Sequence, residues 1–282
     1  MRKANGAIIQ VCSVSFWYGT DKTPVLEQVS LEIERGEFVA FIGQNGAGKT
    51  TLAKLFNGIL LPSDGSVLVE GRNTREAGLE ALARIVGYCY QNPDHQIFSR
   101  TVKDEIAFGP RNLGMTSEQV EQAVAQALRL VEMEQLASSP PFLLGRGQRQ
   151  KLAVASILAM GSPVLVVDEP TTGLDLRGTR SIMNLLNQWN QDGRTIVIIT
   201  HDMNIVAEYA QRVVVMASGK ILADGPTREV LSDEATLAQA FLKAPQITRV
   251  AQQLDPRFGL RRDILTVEEM LREITQRVKV SP

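Results

Sequence analysis

The stretch of sequence that decides the fold is Gly43-Gln44-Asn45-Gly46-Ala47-Gly48-Lys49-Thr50. It fits the pattern G-x-x-x-x-G-K-[ST], a loop that binds the phosphates of a nucleotide. Its glycines reach positive φ at little cost, so the backbone N–H groups can all face phosphate oxygens. Lys49 supplies a positive charge for the β- and γ-phosphates, and Thr50 supplies a hydroxyl ligand for Mg²⁺. We expect this loop and the following Thr51 to contact the nucleotide.

The residues on either side predict a strand before the loop and a helix after it. Residues 37–42 are an apolar run typical of a buried strand, and residues 51–56 begin a helix. The N–H groups of the loop therefore lie at a helix N-terminus, where anions are favoured. A chance glycine-rich turn is the alternative explanation, and the flanking strand and helix argue against it.

Composition and charge are those of an ordinary globular chain. The 282 residues are 44% hydrophobic and 22% charged, and the formal net charge is −1. This length allows one large or two modest domains, and the balanced charge predicts no nucleic-acid partner. Cys12 and Cys89 provide neither a disulfide framework nor metal-ligand spacing. Both lie in apolar, strand-like runs, so we expect both to be small core residues.

The order of the apolar segments predicts an α/β fold. Short strands are expected over residues 8–14, 29–34, 37–42, 66–70 and 84–90. Residues 101–160 show helical periodicity instead, and strands and helices alternate again over residues 164–216. The pattern indicates a parallel α/β core with a helical insert. Helical segments after residue 226 predict a small C-terminal appendage.

Two carboxylates follow a second apolar strand, residues 164–167. Asp168 and Glu169 would then lie at the carboxyl end of the strand, which is where α/β sheets bind ligands. We expect Asp168 to hold Mg²⁺ through water and Glu169 to polarise the attacking water, because phosphoryl transfer depends on positioning and charge stabilisation. A charged turn is the usual explanation of such a pair, and the phosphate-binding loop upstream favours the catalytic one.

Further residues have positions that fit a nucleotide site. His201 follows the apolar run 195–200, and we expect it to contact the γ-phosphate, although a lone histidine is more often a polar loop residue. Gln91 ends a predicted strand, where its amide can reach Mg²⁺ or the attacking water. Tyr18 is a candidate to stack on a base, and packing into the core is its alternative.

In chain order, these residues resemble the ATP-binding cassette (ABC) ATPases over about residues 8–225. The motifs are the base-stacking Tyr18, the Walker A loop, the Q-loop Gln91, a signature segment, the Walker B pair Asp168 and Glu169, the D-loop Gly173-Leu174-Asp175 and the switch histidine His201. The resemblance implies ATP and Mg²⁺ as ligands, with Lys49, Glu169 and His201 as catalytic residues. It also implies a head-to-tail dimer, in which each ATP lies between the Walker A loop of one subunit and the signature of the other.

The resemblance likewise implies a domain organisation. Residues 1–225 would form the ABC ATPase domain, a P-loop NTPase (RecA-like) core with an N-terminal antiparallel β subdomain. A helical signature subdomain would be inserted at about residues 92–160, and residues 226–282 would form a small C-terminal helical extension.

The signature segment departs from the family pattern L-S-G-G-Q and reads Leu144-Gly145-Arg146-Gly147-Gln148. Gly145 lacks a hydroxyl that would reach the partner's γ-phosphate, and a hydrogen bond to a charged group contributes about 1.5–3 kcal/mol. Arg146 adds bulk where a glycine is expected, but its guanidinium can make a charge-assisted phosphate contact. We expect residues 145–148 to face the partner's nucleotide. A heterodimer with a second ABC ATPase is therefore favoured, and a homodimer remains the alternative.

Two regions resemble the ATPases of energy-coupling factor (ECF) transporters in particular. They are residues 90–110 and a tail that contains Pro245-Gln246-Ile247 and residues 263–269. This resemblance implies uptake of a vitamin or a metal ion, driven from the cytoplasmic face of the cell membrane by a peripheral ATPase. It implies a transmembrane coupling subunit and a small membrane substrate-binding subunit as partners, and a dimer contact for the C-terminal extension.

Other functions remain open at this point. The ATPase of an ordinary ABC transporter is the first alternative, and a soluble ABC ATPase that acts on nucleic acid or ribosomes is the second. The single cassette and the lack of a basic excess argue against the second. A P-loop kinase would explain the loop but not the signature, the D-loop and His201 together. The longest apolar run, residues 152–167, is interrupted by Gly161-Ser162-Pro163, so we do not expect the chain to span a membrane.

Overall fold

The computed structural model describes residues 6–20 and 22–278. Residues 1–5 and 279–282, at the outer limits of the two predicted domains, lie outside the described residues. The strands are β1 (Ala7–Trp17), β2 (Pro24–Glu34), β3 (Phe38–Ile42), β4 (Asp64–Val69), β5 (Arg72–Asn73), β6 (Val86–Cys89), β7 (Val164–Asp168), β8 (Thr195–Ile199), β9 (Arg212–Ala217) and β10 (Lys220–Pro226). The helices are α1 (Lys49–Phe56), α2 (Leu79–Ala83), α3 (Val102–Asn112), α4 (Ser117–Leu130), α5 (Arg146–Leu158), α6 (Leu176–Gln191), α7 (Met203–Tyr209), α8 (Thr227–Ser232), α9 (Glu234–Gln239), α10 (Gln246–Gln253) and α11 (Val267–Val278).

The central sheet has the strand order β10-β9-β3-β8-β7-β6 and is parallel except for β10. Every residue of β3, β7 and β8 is buried, as expected for parallel strands that are covered on both faces. Because these strands are parallel neighbours, their carboxyl ends meet at one edge of the sheet. The phosphate-binding loop, Asp168 and His201 follow or end these three strands, so the sheet gathers them at that edge.

A second, antiparallel sheet has the order β2-β1-β4-β5. Its buried side chains join α1 and one face of the central sheet in a single hydrophobic cluster. The register of β1 shifts between Val11 and Val14, and Ser13 has a φ of 46°. Such a bulge interrupts the inward–outward alternation of a strand. Cys12 lies just before this bulge, on the side of β1 opposite to the buried Val11, and is exposed. Its prediction as a core residue was therefore wrong, whereas Cys89 is buried.

The segment between β6 and β7 contains α3, α4 and α5. The hydroxyls of Thr101 and Thr116 accept hydrogen bonds from the first turns of α3 and α4, which fixes where both helices begin. Leu128 of α4 and Leu152 of α5 are buried in the cluster that covers the other face of the central sheet. Helix α5 therefore carries the signature segment at its exposed N-terminus and is anchored in the core from Gln150 onward.

The region after β10 consists of α8–α11. Ala251, Ile264 and Met270 form a small cluster of their own. The guanidinium of Arg228 in α8 donates to the carboxylate of Glu269 in α11 and to the carbonyl of Asp263. These bonds tie α11 to α8, the helix that follows the last strand of the central sheet. Within the described part of the chain, no helix has both the length and the apolar character required to cross a bilayer.

The structure contains elements that sequence patterns did not predict. Strand β10 has a half-exposed, alternating pattern and pairs only with β9. Helices α2 and α7 span five and seven residues, too short for a helical period to be visible. The predicted strand 84–90 is shorter in the structure and covers Val86–Cys89.

Candidate nucleotide-binding and catalytic site

Lys49 lies inside the phosphate-binding loop. Its Nζ donates to the carbonyl oxygens of Gly43 at 2.7 Å and of Gln44 at 2.8 Å, and the residue is 8% exposed. Burial lowers the pKa of Lys49, and the nearby carboxylates of Glu169 and Asp168 oppose this shift. A bound polyphosphate would add further negative charge beside the ammonium group and would favour its charged form.

The shape of the loop depends on glycine. Gly43 and Gly48 have φ angles of 151° and 97°. A Cβ at Gly43 would lie 2.2 Å from the carbonyl oxygen of Met216, and a Cβ at Gly48 would lie 3.0 Å from that of Val25. The turn between β9 and β10 also supports the loop, because Gly219 N donates to the carbonyl of Ala47 at 3.2 Å. Neighbouring segments of both sheets therefore hold the loop in place.

Asp168, at the end of β7, is 4% exposed and accepts hydrogen bonds from two hydroxyls. Thr50 Oγ1 donates to its Oδ2 at 2.8 Å, and Tyr88 Oη donates to the same oxygen at 3.1 Å. Burial raises the pKa of Asp168, while both hydrogen bonds counteract the rise. Burial beside Asp168 also raises the pKa of the Tyr88 phenol, so its hydroxyl stays a donor. The same surroundings raise the pKa of the Cys89 thiol to about 12.

Glu169 is held on both carboxylate oxygens. His201 Nδ1 lies 2.9 Å from Oε1, and Thr172 Oγ1 donates to Oε2 at 3.1 Å. Glu169 is 8% exposed and has a φ of 50°, a left-handed conformation that costs a non-glycine residue energy. The side chain of His201, in contrast, is 70% exposed. The pair therefore joins a buried carboxylate to an imidazole at the rim of the site.

Lys49, Thr50, Asp168 and Glu169 line a cavity of about 180 Å³. Its walls are formed by residues 45–51, Gln91, Asp168, Glu169, Val25 and Ile199. His201 is not part of this lining and adjoins the cavity through its contact with Glu169. The hydroxyl of Thr50, the carboxylate of Asp168 and the amide of Gln91 present oxygen donors to this cavity. Such a set suits Mg²⁺, which is usually held by one or two carboxylates together with substrate phosphates.

Tyr18 lies just after β1 and is 53% exposed, so it does not pack into the core. Its ring makes an edge contact with Phe16 at 4.8 Å, and its hydroxyl lies 3.3 Å from Thr51 Oγ1. An exposed aromatic face beside the first turn of α1 can stack on a base.

The signature residues lie apart from this cavity, and none of residues 145–148 lines it. Gly145 is the N-cap of α5, and its N–H donates to Gln148 Oε1 at 3.0 Å. Arg146 is exposed, and its guanidinium lies over Gly173 of the D-loop. A Cβ at Gly173 would be 2.6 Å from Arg146 Cζ. The chain thus holds its D-loop and its altered signature together, and neither is part of the lining of its own nucleotide cavity.

Sequence reasoning missed some residues of the site. Tyr88 and Thr172 hold the two carboxylates, and Val25 and Ile199 line the cavity. Tyr88 was visible only as one residue of an apolar strand. The available signal was its position on the strand that would pair with the one ending in Asp168, but strand order cannot be read from local periodicity.

Comparison with known proteins identifies the family. Residues 26–172 match the model of the family described as ABC transporter. The chain belongs to the ABC transporter family. An ABC transporter ATP-binding protein of Pyrococcus furiosus is 43% identical to it over 267 residues, which cover 95% of this chain and 99% of that protein. The energy-coupling factor transporter ATP-binding protein EcfA of Methanocaldococcus jannaschii is 42% identical over 275 residues, 96% of this chain and 98% of that protein.

A longer relative and two solved structures extend this result. An ABC transporter ATP-binding protein of Caldanaerobacter subterraneus subsp. tengcongensis is 48% identical to this chain over 264 residues. The match covers 45% of the length of that longer protein. The structure of cbiO1 from Clostridium perfringens, part of the ABC transporter complex cbiONQ, has a TM-score of 0.75 and 34% identity, and covers 90% of this chain and 97% of that one. An ATP-binding cassette solved as a dimer in a post-hydrolysis state with ADP and Pi has a TM-score of 0.71 and 26% identity, over 78% of this chain and 98% of that one.

These matches bear out the predicted family and fold class. The ABC chain has the α/β cassette fold with an antiparallel β subdomain, and it is an ATP-binding and ATP-hydrolysing subunit. The individual roles of its site residues remain predictions.

Proposed function

We propose that this chain is the ATP-hydrolysing subunit of an ECF-type transporter that takes up a vitamin or a metal ion. The observation that carries the catalytic part is Glu169, 2.9 Å from His201 and on the same cavity wall as Thr50 and Asp168. The ECF part is supported by 42% identity to an ECF ATP-binding protein. Because that match covers 96% of this chain, it includes most of the region after residue 226.

We propose a role for each group from its position in the site. Lys49 and the N–H groups of the loop bind the β- and γ-phosphates of ATP. Thr50, Asp168 and Gln91 would hold Mg²⁺, which when bound neutralises charge on the phosphate oxygens. Glu169 orients a water for attack on the γ-phosphorus and accepts its proton, while the bond from the γ-phosphorus to the β–γ bridging oxygen breaks and ADP leaves. His201 holds Oε1 of Glu169 and stands at the rim, where the γ-phosphate would enter.

The second subunit is proposed to be a different ABC ATPase. This chain's own cavity has its loop, carboxylates, Gln91 and His201 in place. Its signature has Gly145 in place of the usual serine and Arg146 in place of a glycine. In a head-to-tail dimer that alteration faces the partner's ATP, so a partner with an ordinary signature would complete the site on this chain. The partner's site would turn over more slowly.

We place the transmembrane coupling subunit at a groove between the Q-loop region and α3. The groove has a volume of about 540 Å³ and is lined by residues of α2, β6, α3 and α5. On its rim, Phe98 is 65% exposed and Phe108 is 45% exposed, with their rings in edge contact at 4.7 Å. Exposed aromatic rings on such a cleft suit the apolar face of a helix. Docking there would hold the chain on the cytoplasmic face of the membrane as a peripheral subunit.

The C-terminal extension, residues 226–282, is proposed as a dimer contact. Val267, Leu271 and Ile274 of α11 are 55%, 57% and 41% exposed. Their spacing of four and three residues puts them on one face of the helix. Met270 lies on the buried side and anchors α11 to the extension. An apolar stripe of this kind suits a helix from a second ATPase subunit.

Purified assemblies test the proposal. The chain would be prepared alone, with the second ATPase encoded beside it, and with both ATPases and their transmembrane subunits. We expect slow ATP hydrolysis alone, faster hydrolysis with the second ATPase, and cosedimentation with membranes only when the transmembrane subunits are present. Full-rate hydrolysis by the chain alone would instead favour a homodimer. Membrane-independent activity on nucleic acid or ribosomes would contradict the transport assignment.

A further inference from the structure

Tyr88 stands between the nucleotide cavity and the groove. It is 5% exposed and lies in β6, next to β7 in the central sheet. Its hydroxyl donates to Asp168 Oδ2 at 3.1 Å, on the side of the nucleotide cavity. Tyr88 is also among the residues that line the groove. One side chain therefore touches both the carboxylate that would hold the metal and the surface proposed for a partner.

The ring of Tyr88 is supported from the groove side by a second tyrosine. Tyr90 makes an edge contact with it, with ring centroids 5.1 Å apart, and Tyr90 also lines the groove. The structure shows no hydrogen bond from the Tyr90 hydroxyl to Asp168, whose described hydroxyl donors are Thr50 and Tyr88. The two tyrosines are thus neighbours with different roles. Tyr88 is hydrogen-bonded to the carboxylate, and Tyr90 packs against the ring of Tyr88.

The two donors to Asp168 belong to different parts of the molecule. Thr50 lies in the loop that binds the nucleotide, so its hydroxyl is also needed as a metal ligand. Tyr88 lies in the sheet, and nucleotide binding does not require its hydroxyl elsewhere. Only Tyr88 can therefore hold Oδ2 in the same place with and without nucleotide. An oxygen held by a fixed donor limits the rotation of the carboxylate and so orients its other oxygen.

We propose that Tyr88 is a positioning residue, whose hydroxyl orients the carboxylate of Asp168 toward the metal. We further propose that the contact between the Tyr88 and Tyr90 rings makes this orientation depend on what occupies the groove. The proposal rests on the proposed function, because it takes Asp168 as the carboxylate that holds Mg²⁺. A partner helix in the groove would press on the tyrosine pair and thereby alter the metal site. The competing explanation is that the Tyr88 hydroxyl only satisfies a buried carboxylate.

The test compares Tyr88→Phe with Tyr90→Phe, which removes a hydroxyl from the neighbouring ring. Binding of ATP is measured by calorimetry in the Glu169→Gln background, once with Mg²⁺ and once with EDTA. The ratio of the two affinities is the gain due to Mg²⁺. We expect Tyr88→Phe to reduce this gain about tenfold, the lower end of the effect of one hydrogen bond to a charged group. Its affinity in EDTA, and both affinities of Tyr90→Phe, stay within twofold of the parent.

A double-mutant cycle tests the connection to the groove. Tyr90→Ala removes the ring that braces Tyr88, and we expect it to lower the Mg²⁺-dependent gain about threefold. In a chain that already carries Tyr88→Phe, the same change should have no further effect, because the hydroxyl it acts through is gone. Additive effects of the two substitutions would overturn the connection.

The outcomes separate this inference from the proposed function. In one outcome, Tyr88→Phe leaves the gain in ATP affinity due to Mg²⁺ unchanged and lowers the melting temperature equally with and without Mg²⁺. The hydroxyl then has only a structural role. If the parent chain shows no gain from Mg²⁺ and Asp168→Asn changes nothing, Asp168 is not the metal ligand. That result would contradict the catalytic assignment and, with it, the positioning role.

Discussion

The chain's own nucleotide cavity and the N-terminus of its signature helix contrast in how their polar groups are satisfied. In the cavity, Lys49, Asp168 and Glu169 are each at most 8% exposed and each is hydrogen-bonded within the chain. At the start of α5, Gly145, Arg146 and Gln148 are exposed. The only bond among the three that the described structure shows there runs from Gly145 N to Gln148.

This difference indicates which of the two regions the chain forms without a partner subunit. A buried charge is costly unless it is paired, so the cavity is assembled before any ligand arrives. An exposed guanidinium at a helix N-terminus costs little in water and is available to an anion on another molecule. The packing of Arg146 over Gly173 joins that surface to the D-loop. We infer that one region is built for its own ATP and the other for a partner's.

The largest effect should come from a substitution that stops ATP hydrolysis in the cavity without affecting ATP binding. Glu169→Gln keeps the shape of the side chain but removes the carboxylate that we propose accepts the proton. We expect ATP hydrolysis to fall about 10²–10⁴-fold, the usual contribution of a general base, with ATP affinity nearly unchanged. Phosphate release and calorimetric binding measure the two quantities. Glu121→Gln, on the exposed face of α4, is the control, and normal hydrolysis by Glu169→Gln would remove its assigned role.

The next effect separates binding from chemistry within the same region. Lys49→Ala removes the ammonium that we propose binds the phosphates, together with its bonds to Gly43 and Gln44. We expect ATP affinity to fall about 10–100-fold, since hydrogen bonds to charged groups contribute about 1.5–3 kcal/mol. Titration with a fluorescent ATP analogue measures it. Lys54→Ala in the same helix, outside the cavity lining, should bind normally; equal losses in both variants would contradict the prediction.

A smaller effect should appear when the exposed region is altered. Arg146→Gly removes the only charge of the signature segment. We expect ATP binding by the isolated chain to be unchanged, and ATP-dependent association of Glu169→Gln subunits to weaken about tenfold through loss of a charged phosphate contact. Analytical ultracentrifugation with ATP measures association. Arg146→Lys should restore most of it, and stronger association of Arg146→Gly would mean that the bulk of the arginine outweighs its charge.

The smallest effect lies outside both regions. Arg228 holds the pKa of Glu269 below its usual range. A lowered folded-state pKa stabilises the folded chain above the ordinary carboxyl value of 4.5, and this stability is lost as the pH falls below that value. Glu269→Gln should therefore cost about 1 kcal/mol at pH 7, typical of a partly exposed ion pair, and less at pH 4.

Thermal melts at the two pH values measure this effect, with exposed Glu268→Gln as the control. Nucleotide affinity should be the same in both variants. A loss of ATP affinity in Glu269→Gln alone would show that the C-terminal extension acts on the nucleotide cavity. The cavity would then not be independent of the rest of the chain.

Much of the fold and of the site was readable from local sequence. Glycines at fixed spacing before Lys49 and Thr50 indicate a phosphate loop because few other residues tolerate its φ angles. The apolar runs that end in Asp168 and precede His201 indicate buried parallel strands because polar residues are excluded from both faces. These signals lie within a few neighbouring residues, where backbone preference and burial act directly on residue choice.

Other features were decided only when distant segments packed together. The bonds from Tyr88 to Asp168 and from Thr172 and His201 to Glu169, and the contact of Arg146 with Gly173, depend on strand order and on which helix lies beside which loop. The bulge at Ser13 depends on how β1 matches its two neighbours. A local sequence limits the conformation of its own backbone, whereas the partner of a side chain is chosen by the free energy of the whole packed molecule.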